Sequence, residues 1–227
     1  MDLTNNKPCI ISCGIGGHYT ASIDRLANSV QWHGWPGSTI FWKDYPEGCP
    51  KHEGSGQYNF KIFSFREAFK RGHNVVLWVD SSLYAIKDVM PIFDYINDNG
   101  IFLFKSGYPL SATTTDAFLS FKGITRESLI DVPEFATGAV GIRIDNPIGN
   151  EFFIRWEAYM KWGFFCGNRV HDPLDSTHPL FKFSRQDQTA CSMALHDMGI
   201  TTAGEDKNWV SYYPNHTEST IFFIKGI

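Results

Sequence analysis

The sequence has little that would suit a membrane protein or a secreted protein. No apolar run approaches the roughly 18 residues of a membrane-spanning helix, and the start of the chain lacks a basic stretch followed by a long apolar one. The 5 cysteines are odd in number and share no C-x-x-C spacing, so neither a disulfide framework nor a zinc site is indicated. We therefore expect no membrane span and a reducing, cytoplasmic location.

An excess of positive charge is lacking as well. The formal net charge is -4 and charged residues make up 19% of the chain, so no basic surface for nucleic acid is predicted. The 8 histidines are too scattered for a metal-binding tract. Aromatic residues, in contrast, reach 15%; most will fill the core, but this content also favours a pocket that stacks bases or sugar rings. A partner should therefore be sought in a pocket.

The most informative stretch is an apolar run that ends abruptly in polar residues. Residues 75–79, VVLWV, are too few for a helix of their own and are β-branched enough for a strand buried on both faces. Asp80, Ser81 and Ser82 follow at once. Ligands of open α/β sheets bind at the carboxyl ends of central strands, so this run predicts a binding site. The alternative is that Asp80 caps a helix beginning near Ala85.

Strands and helices alternate along most of the chain. Its 227 residues suit one large domain, covering 1–227. The alternation predicts an α/β fold with a mostly parallel central sheet flanked by helices. The predicted strands are 8–13, 38–42, 75–79, 101–104 and 136–144. The predicted helices are one around 23–30, then 58–71, 86–96, 116–121, 126–130, 147–162 and 189–196.

Two features of the first half of the chain suggest contacts with a phosphate or a nucleotide. The turn at residues 14–17, GIGG, follows the first strand, and its glycines let a nucleotide lie close to the backbone, although it does not form the G-x-G-x-x-G of a dinucleotide fold. We expect Asp80 to face a pocket that this turn also lines. Lys61 and Arg66 lie on the helix before the central strand, where a cation can point over the end of that strand.

The second half contains a long loop and then an acidic helix start. Residues 163–184 have no clear periodicity, and a loop of this length in a compact domain is more often functional than idle. The loop leads into R-Q-D-Q at 185–188, which opens a helix. Asp187 in the first turn of that helix is also the ordinary placement for a carboxylate favoured by the helix dipole, so its charge alone indicates nothing.

Taken together, four segments resemble the GT-A-fold glycosyltransferases, the nucleotide-diphospho-sugar transferases. They are Y-N-F-K at 58–61, V-L-W-V-D-S-S at 76–82, A-T-G-A-V-G-I at 136–142 and R-Q-D-Q-T-A at 185–190. Their order and spacing match over nearly the whole chain. The resemblance implies a single GT-A-like Rossmann-type domain that transfers a sugar from a nucleotide-diphosphate sugar to a hydroxyl of a glycan or another acceptor.

The resemblance also implies roles for individual residues. Asp80 corresponds to the aspartate that contacts the donor ribose or its metal, Lys61 to a cation near the donor, and Asp187 to the carboxylate near the acceptor. Apart from the resemblance, transfer that inverts the anomeric centre needs a carboxylate to take the proton of the acceptor hydroxyl, and Asp187, Asp116 or Glu134 could do so; if the centre is retained, none of them need act as a base. The other residues implied in donor binding are Gly14, Ile15, Arg66, Ser81 and Ser82.

The expected metal site departs from the family pattern. Many members have a second carboxylate where this chain has Ser82, and a hydroxyl is a weaker, neutral ligand for Mn²⁺ or Mg²⁺. His216 could join Asp80 as a metal ligand, as a C-terminal histidine does in some members, but a lone histidine among aromatic residues is more often simply packed. The sequence therefore leaves dependence on Mn²⁺ or Mg²⁺ open.

Two other functions compete with glycosyl transfer. One is a non-catalytic nucleotide- or carbohydrate-binding domain of the same fold, which the missing second carboxylate favours. The other is a nucleotidyltransferase, which would need a basic phosphate loop near the first strand; the turn at 14–17 has no Lys or Arg. The donor base, its sugar, the acceptor and the stereochemistry of transfer all stay open.

Overall fold

The computed structural model describes residues 7–51, 58–165, 175–212 and 216–224. The strands in these ranges are Pro8–Cys13 (β1), Ser38–Trp42 (β2), Val75–Val79 (β3), Leu83–Ala85 (β4), Ile101–Pro109 (β5), Pro133–Arg143 (β6), Val210–Tyr212 (β7) and Phe222–Ile224 (β8). The α-helices are Gly17–Trp32 (α1), Phe60–Lys70 (α2), Met90–Asn99 (α3), Asp116–Lys122 (α4), Pro147–Lys161 (α5) and Gln186–Asp197 (α6).

The central sheet has five strands in the order β2-β1-β3-β6-β5. Strand β1 pairs in parallel with both β2 and β3, whereas β6 pairs antiparallel with both β3 and β5. Four strands therefore run in one direction and β6 runs against them. The mostly parallel α/β sheet predicted from the sequence is confirmed, with β3 at its centre.

Helices cover both faces of this sheet because the apolar side chains of β3 alternate between the faces. Val75, Leu77 and Val79 pack in one core cluster with residues of α1 and α3. Val76 and Trp78 pack in a second cluster with residues of α2, α5 and α6. All five residues are at most 1% exposed, as expected for a strand buried on both faces. The polar residues that follow β3 are thereby held at the carboxyl edge of the sheet.

The helix predicted at 86–96 begins later than expected. Leu83–Ala85 forms β4, which pairs antiparallel with β8 in a small second sheet of order β4-β8-β7. Helix α3 begins only at Met90, where Asp88 accepts a hydrogen bond from the backbone N–H and Pro91 suits the first turn. Strand β4 forms only by pairing with β8, whose residues lie about 140 positions further along the chain, and local periodicity does not reveal such a pairing.

The remaining helices and strands lie close to their predicted positions. The short helix expected at 126–130 is a 3₁₀ turn, Glu127–Leu129, and the last helix begins at Gln186 instead of residue 189. Part of the loop expected at 163–184 falls outside the described residues. No helix in the described ranges combines the length and the apolar character needed to cross a membrane.

Candidate active site

A cavity of about 450 Å³ opens at the carboxyl end of β3. Its walls come from the residues around the start of α2, from β5 and β6, from the start of α6 and from β7. This volume lies within the range of roughly 300 to 1,000 Å³ that is usual for small-molecule sites. The cavity therefore has the size and the position expected of an active site in an open α/β sheet.

A buried lysine joins two carboxylates at the floor of this cavity. The ammonium of Lys61 lies 2.8 Å from Oδ2 of Asp187 and 3.4 Å from Oδ1 of Asp80. It also donates hydrogen bonds to the backbone carbonyl of Thr137 at 3.0 Å and to its hydroxyl at 3.1 Å. We call Lys61, Asp80 and Asp187 the lysine cluster. Its members come from α2, from the end of β3 and from α6, so only the folded chain brings them together.

Asp80 is the open member of the lysine cluster. The indole of Trp78 donates a hydrogen bond to its Oδ1 at 2.8 Å, and its own backbone N–H donates to the carbonyl of Gly138 at 2.7 Å. The Asp80 side chain remains 35% exposed, whereas that of Asp187 is 5% exposed. No helix begins near Ala85, so Asp80 does not have the capping role that was its alternative. Its carboxylate is fixed in direction and accessible from the cavity.

Asp187 is held from several directions at the start of α6. The hydroxyl of Thr137 donates to its Oδ2 at 2.7 Å, and the indole of Trp156 donates to its backbone carbonyl at 3.0 Å. Gln186, the residue before it, has a φ of 28°, in the region that residues other than glycine rarely adopt. Such strain costs about 1 to 3 kcal/mol and is concentrated at functional sites. Asp187 therefore does more than complement the helix dipole.

Burial and the ion pairs act in opposite directions on the charges of the lysine cluster. Burial by itself would lower the pKa of Lys61, but the carboxylates of Asp187 and Asp80 raise it above its usual value, so Lys61 stays an ammonium. Burial raises the pKa of Asp187, while Lys61 and the Thr137 hydroxyl oppose that rise. A carboxylate with a raised pKa binds a proton more readily than an ordinary aspartate.

Two cations of the cavity lining, Arg185 and Lys105, were not predicted from the sequence, and Lys105 is paired with Glu205 at 2.9 Å. Arg185 is the one without such a partner among the described residues. It lines the cavity, and its guanidinium lies over the ring of Phe183, 4.9 Å from the ring centre. Within the part of the chain that the structure describes, Arg185 forms no ion pair, and its Nε is buried without a hydrogen-bond partner. A guanidinium in this state can bind an anionic ligand. The only sequence signal was its place in R-Q-D-Q, beside Asp187.

Apart from Lys61, Asp80 and Asp187, none of the residues that line the cavity was predicted from the sequence, and Tyr58, Thr137 and Tyr212 are three examples. Tyr58 and Thr137 belong to the Y-N-F-K and A-T-G-A segments but were not predicted to be site residues. Tyr212 reaches the cavity from β7 in the second sheet, and nothing in the local sequence indicated that. Its hydroxyl lies so close to Gly138 that a Cβ on that glycine would be 2.0 Å away.

The two alternative bases lie outside the lining of this cavity. Glu134 is fully buried on β6 and accepts hydrogen bonds from Ser106 at 2.6 Å and from Gln188 at 2.7 Å. Burial raises the pKa of Glu134, and these hydrogen bonds oppose the rise. Because Ser106 and Gln188 do line the cavity, Glu134 positions cavity residues. Asp116 pairs with Arg126 at 2.7 Å and lines a different cavity.

The glycine turn, residues 14–17, does not line the described cavity, so the predicted pocket shared by Asp80 and this turn is wrong for this cavity. A Cβ on Gly14 would lie 2.3 Å from the carbonyl oxygen of Tyr19 and 2.6 Å from Cγ1 of Ile23. Gly14 is therefore required by the close packing of α1 on the end of β1. Ile15 in the same turn packs against the core.

Three other predicted donor-binding residues are likewise absent from the cavity lining. Arg66 forms an ion pair with Glu157 of α5. Ser81 is buried in the turn after β3, and the backbone carbonyl of Ser82 accepts a hydrogen bond from Arg25 at 2.7 Å. For these residues the structure indicates structural contacts, and of the seven predicted donor-binding residues it brings Lys61 and Asp80 to the cavity.

The described residues do not by themselves form a site for Mn²⁺ or Mg²⁺. Among them, no three His, Cys, Asp or Glu side chains come together as metal ligands. The Oδ1 atom of Asp80 already accepts from Trp78 and faces the ammonium of Lys61. His216 packs edge-on against Phe223, with ring centres 5.2 Å apart, and does not line the cavity. A metal-binding role for Asp80 and His216 stays a prediction.

Comparison with known proteins identifies the fold. No protein-family model matches the chain, and no curated protein matches its sequence. Among solved structures, the apo structure of the bifunctional glycosyltransferase WbbM has a TM-score of 0.52 at 12% identity, covering 95% of this chain and 41% of that one. A glycosyltransferase involved in the glycosylation of the major capsid of PBCV-1 has a TM-score of 0.45 at 12% identity, covering 96% and 91%. The likeness to WbbM confirms the predicted fold class.

Proposed function

Because the chain has a GT-A-like glycosyltransferase fold, we propose that it transfers a sugar from a nucleotide-diphosphate sugar to a hydroxyl of an acceptor. The lysine cluster is the observation that carries this proposal. It joins the strand-end aspartate and the helix-start aspartate, the two carboxylates implied in donor and acceptor contacts, at the carboxyl edge of the sheet. The donor and the reacting hydroxyl of the acceptor would then meet in this cavity.

On the donor side, Asp80 and Arg185 bind different parts of the nucleotide sugar. The exposed carboxylate of Asp80 accepts hydrogen bonds from hydroxyls of the donor, with its direction fixed by Trp78. Arg185 binds the diphosphate, because glycosyl transfer needs a cation to stabilise the departing group and Arg185 is free of ion pairs among the described residues. Lys61 is already neutralised by two carboxylates, so its main effect is to hold them in position.

On the acceptor side, Asp187 positions the acceptor hydroxyl or takes its proton. Glu134 acts on the site indirectly, through its hydrogen bonds with Ser106 and Gln188. Asp116 forms an ion pair with Arg126, and its hydrogen bonds lower its pKa, so we do not assign it the role of the base.

The proposal is tested by incubating the protein with a panel of uridine and guanosine diphosphate sugars, with and without Mn²⁺, and measuring nucleotide release. We expect slow hydrolysis of one donor, because a bound activated sugar can be transferred to water. Tight binding of a donor without release would instead favour the non-catalytic domain of the same fold. If no donor binds and no nucleotide is released, both functions are contradicted.

The division of roles within the cavity is tested by Asp187→Asn. Asparagine keeps the size and a hydrogen-bond acceptor for Thr137 but cannot take a proton as the carboxylate does. Transfer to an acceptor should therefore fall about a hundredfold or more, while donor affinity stays near that of the wild type. The control is Asp197→Asn at the far end of the same helix, which breaks a contact with Lys122 outside the cavity. Normal transfer by Asp187→Asn would give Asp187 a purely structural role.

A further inference from the structure

A second cavity of about 380 Å³ lies beside the first one. Gln186 lines both cavities, and Asp187, the next residue, lines the first. We call the second one the aromatic cavity, because Phe118, Trp162 and Phe164 line it. A ligand bound there would therefore contact Gln186, the neighbour in sequence of Asp187, which is the proposed acceptor-side carboxylate.

Among the three aromatic residues of this cavity, Trp162 offers an exposed apolar surface to a ligand, while Phe118 is buried. Phe118 and Phe164 stack with ring centres 3.9 Å apart and an interplanar angle of 10°. Trp162 remains 58% exposed, which is a large exposed fraction for a tryptophan beside a cavity. The ring of a sugar carries C–H groups on its flat faces, and these pack on exposed aromatic rings. Trp162 provides such a surface.

The wall formed by Ser184 and Asp175 is polar and has unused hydrogen-bonding capacity. The Ser184 side chain is buried, with only 2% of the residue exposed, and its hydroxyl has no hydrogen-bond partner within the described ranges. Oδ2 of Asp175 is buried and unpartnered in the same sense. Both residues line the aromatic cavity. Buried polar groups are nearly always satisfied in folded proteins, so these two atoms point to a ligand that supplies hydroxyl groups.

Asp116 also lines the aromatic cavity, where it forms an ion pair with Arg126. Partial burial tends to raise the pKa of Asp116, but hydrogen bonds from Arg126 and Ser176 lower it overall. A carboxylate of this kind remains ionised and accepts hydrogen bonds. It adds a further acceptor for ligand hydroxyls at the exposed side of the cavity.

We propose that the aromatic cavity is the subsite for the acceptor and that the acceptor is a carbohydrate. One sugar ring packs on Trp162, its hydroxyls bond to Ser184 and Asp175, and the hydroxyl that receives the sugar extends past Gln186 towards Asp187. This inference rests on the proposed glycosyl transfer, and it narrows the acceptor from any hydroxyl compound to a saccharide.

The first experiment measures saccharide binding without any donor, so it does not depend on catalysis. The probes are the methyl glycosides of glucose, galactose, mannose, fucose and N-acetylglucosamine, observed by ligand-detected saturation-transfer NMR. We expect at least one to bind the wild type and Trp162→Ala to weaken that binding about three- to tenfold, the range for loss of one aromatic contact. Ser184→Ala should weaken it as well.

Two variants control for indirect effects. Trp32→Ala removes a tryptophan that is 86% exposed and lines neither cavity, so it should bind saccharides like the wild type. Trp162→Phe keeps a flat aromatic surface and should restore most of the binding lost in Trp162→Ala. Absence of binding to the wild type, or equal binding by the wild type, Trp162→Ala and Ser184→Ala, would overturn the inference.

The second experiment separates this inference from the proposed function. In a transfer assay with a saccharide that binds the protein as acceptor, Trp162→Ala should raise the KM for the acceptor, whereas the control Trp32→Ala should leave this KM and donor hydrolysis by water unchanged. If no donor is hydrolysed by the wild type but saccharides bind at Trp162, the proposed function fails and the carbohydrate site stands. If donors are hydrolysed but Trp162→Ala transfers with an unchanged acceptor KM, only the acceptor subsite is wrong.

Discussion

The glycine turn and the lysine cluster lie at the same edge of the central sheet but are maintained by different forces. The turn follows β1 and the cluster is built on the end of β3, the parallel neighbour of β1. In the turn, Gly14 avoids a steric clash with the backbone of α1. In the cluster, one buried cation holds two carboxylates. A glycine after a strand therefore served packing, whereas an aspartate after a strand served the cavity.

The largest effect should come from removing the cation of the lysine cluster. Lys61→Met leaves Asp187 buried without its counter-ion, and breaking a buried ion pair in this way costs about 3 to 5 kcal/mol of stability. Urea unfolding followed by circular dichroism measures this loss. The control is Arg66→Met on the same helix, where a partly exposed pair contributes about 0 to 1 kcal/mol. Equal losses in both variants would remove the contrast between a buried cluster and a surface pair.

Asp80→Asn should damage function without damaging the fold. Asparagine keeps the shape and the hydrogen bond from Trp78 but removes the charge, so turnover in the proposed reaction should fall about a hundredfold, equivalent to about 2.7 kcal/mol. Stability should change little, because the side chain is 35% exposed. Asp24→Asn, which removes an exposed charge paired with Lys43, serves as the control. Unchanged turnover in Asp80→Asn would deny Asp80 a role in the donor site.

Gly14→Ala should have the opposite profile, lower stability with an intact cavity. The new Cβ would overlap the backbone of Tyr19, and overpacking of this kind costs about 1 to 3 kcal/mol. The matched variant is Gly138→Ala, where the clash is with the hydroxyl end of the Tyr212 side chain, which can move. Gly14→Ala should therefore lose more thermal stability than Gly138→Ala, and Gly138→Ala should lose more donor affinity than Gly14→Ala. A loss of donor affinity in folded Gly14→Ala would instead bring the glycine turn back into the donor site.

A final effect should appear only at alkaline pH. The pKa of Lys61 is raised above its usual 10.5 in the folded protein, so the stability contributed by its ammonium is complete below pH 10.5 and is lost as the pH rises through the folded-state pKa. Above pH 10.5, the stability gap between the wild type and Lys61→Met should narrow by up to about 1.4 kcal/mol per pH unit. Urea unfolding over this pH range measures the gap. A gap that widens with pH would contradict the ion-pair assignment.

Most of the fold could be predicted from local patterns. The run at 75–79 was recognised as a buried strand because all five residues are apolar and mostly β-branched, and the fold buries each of them. The helix at 58–71 and the strand at 8–13 follow from the same kind of periodicity. Strand β4 could not be found in this way, because its three residues gain their partners only from Phe222–Ile224 near the other end of the chain.

The candidate site was only partly predictable. Lys61, Asp80 and Asp187 were selected one by one, from strand ends, helix starts and the family resemblance, and the fold brings them into one cluster. Arg66 was selected by the same logic as Lys61, yet it faces Glu157 on α5. Sequence spacing alone does not tell which cation on a helix faces the sheet edge and which faces the neighbouring helix.

The sequence by itself determined the alternation of strands and helices and the position of Asp80 just after the central strand, because apolar periodicity and the abrupt change to polar residues are local properties of the chain. The tertiary structure alone decided which charges meet. Lys61 and Asp187 are 126 positions apart, yet they lie 2.8 Å from each other because α2 and α6 pack on the same face of the sheet. Such a pairing depends on how the helices pack in the whole molecule, and the sequence around either charge alone does not predict it.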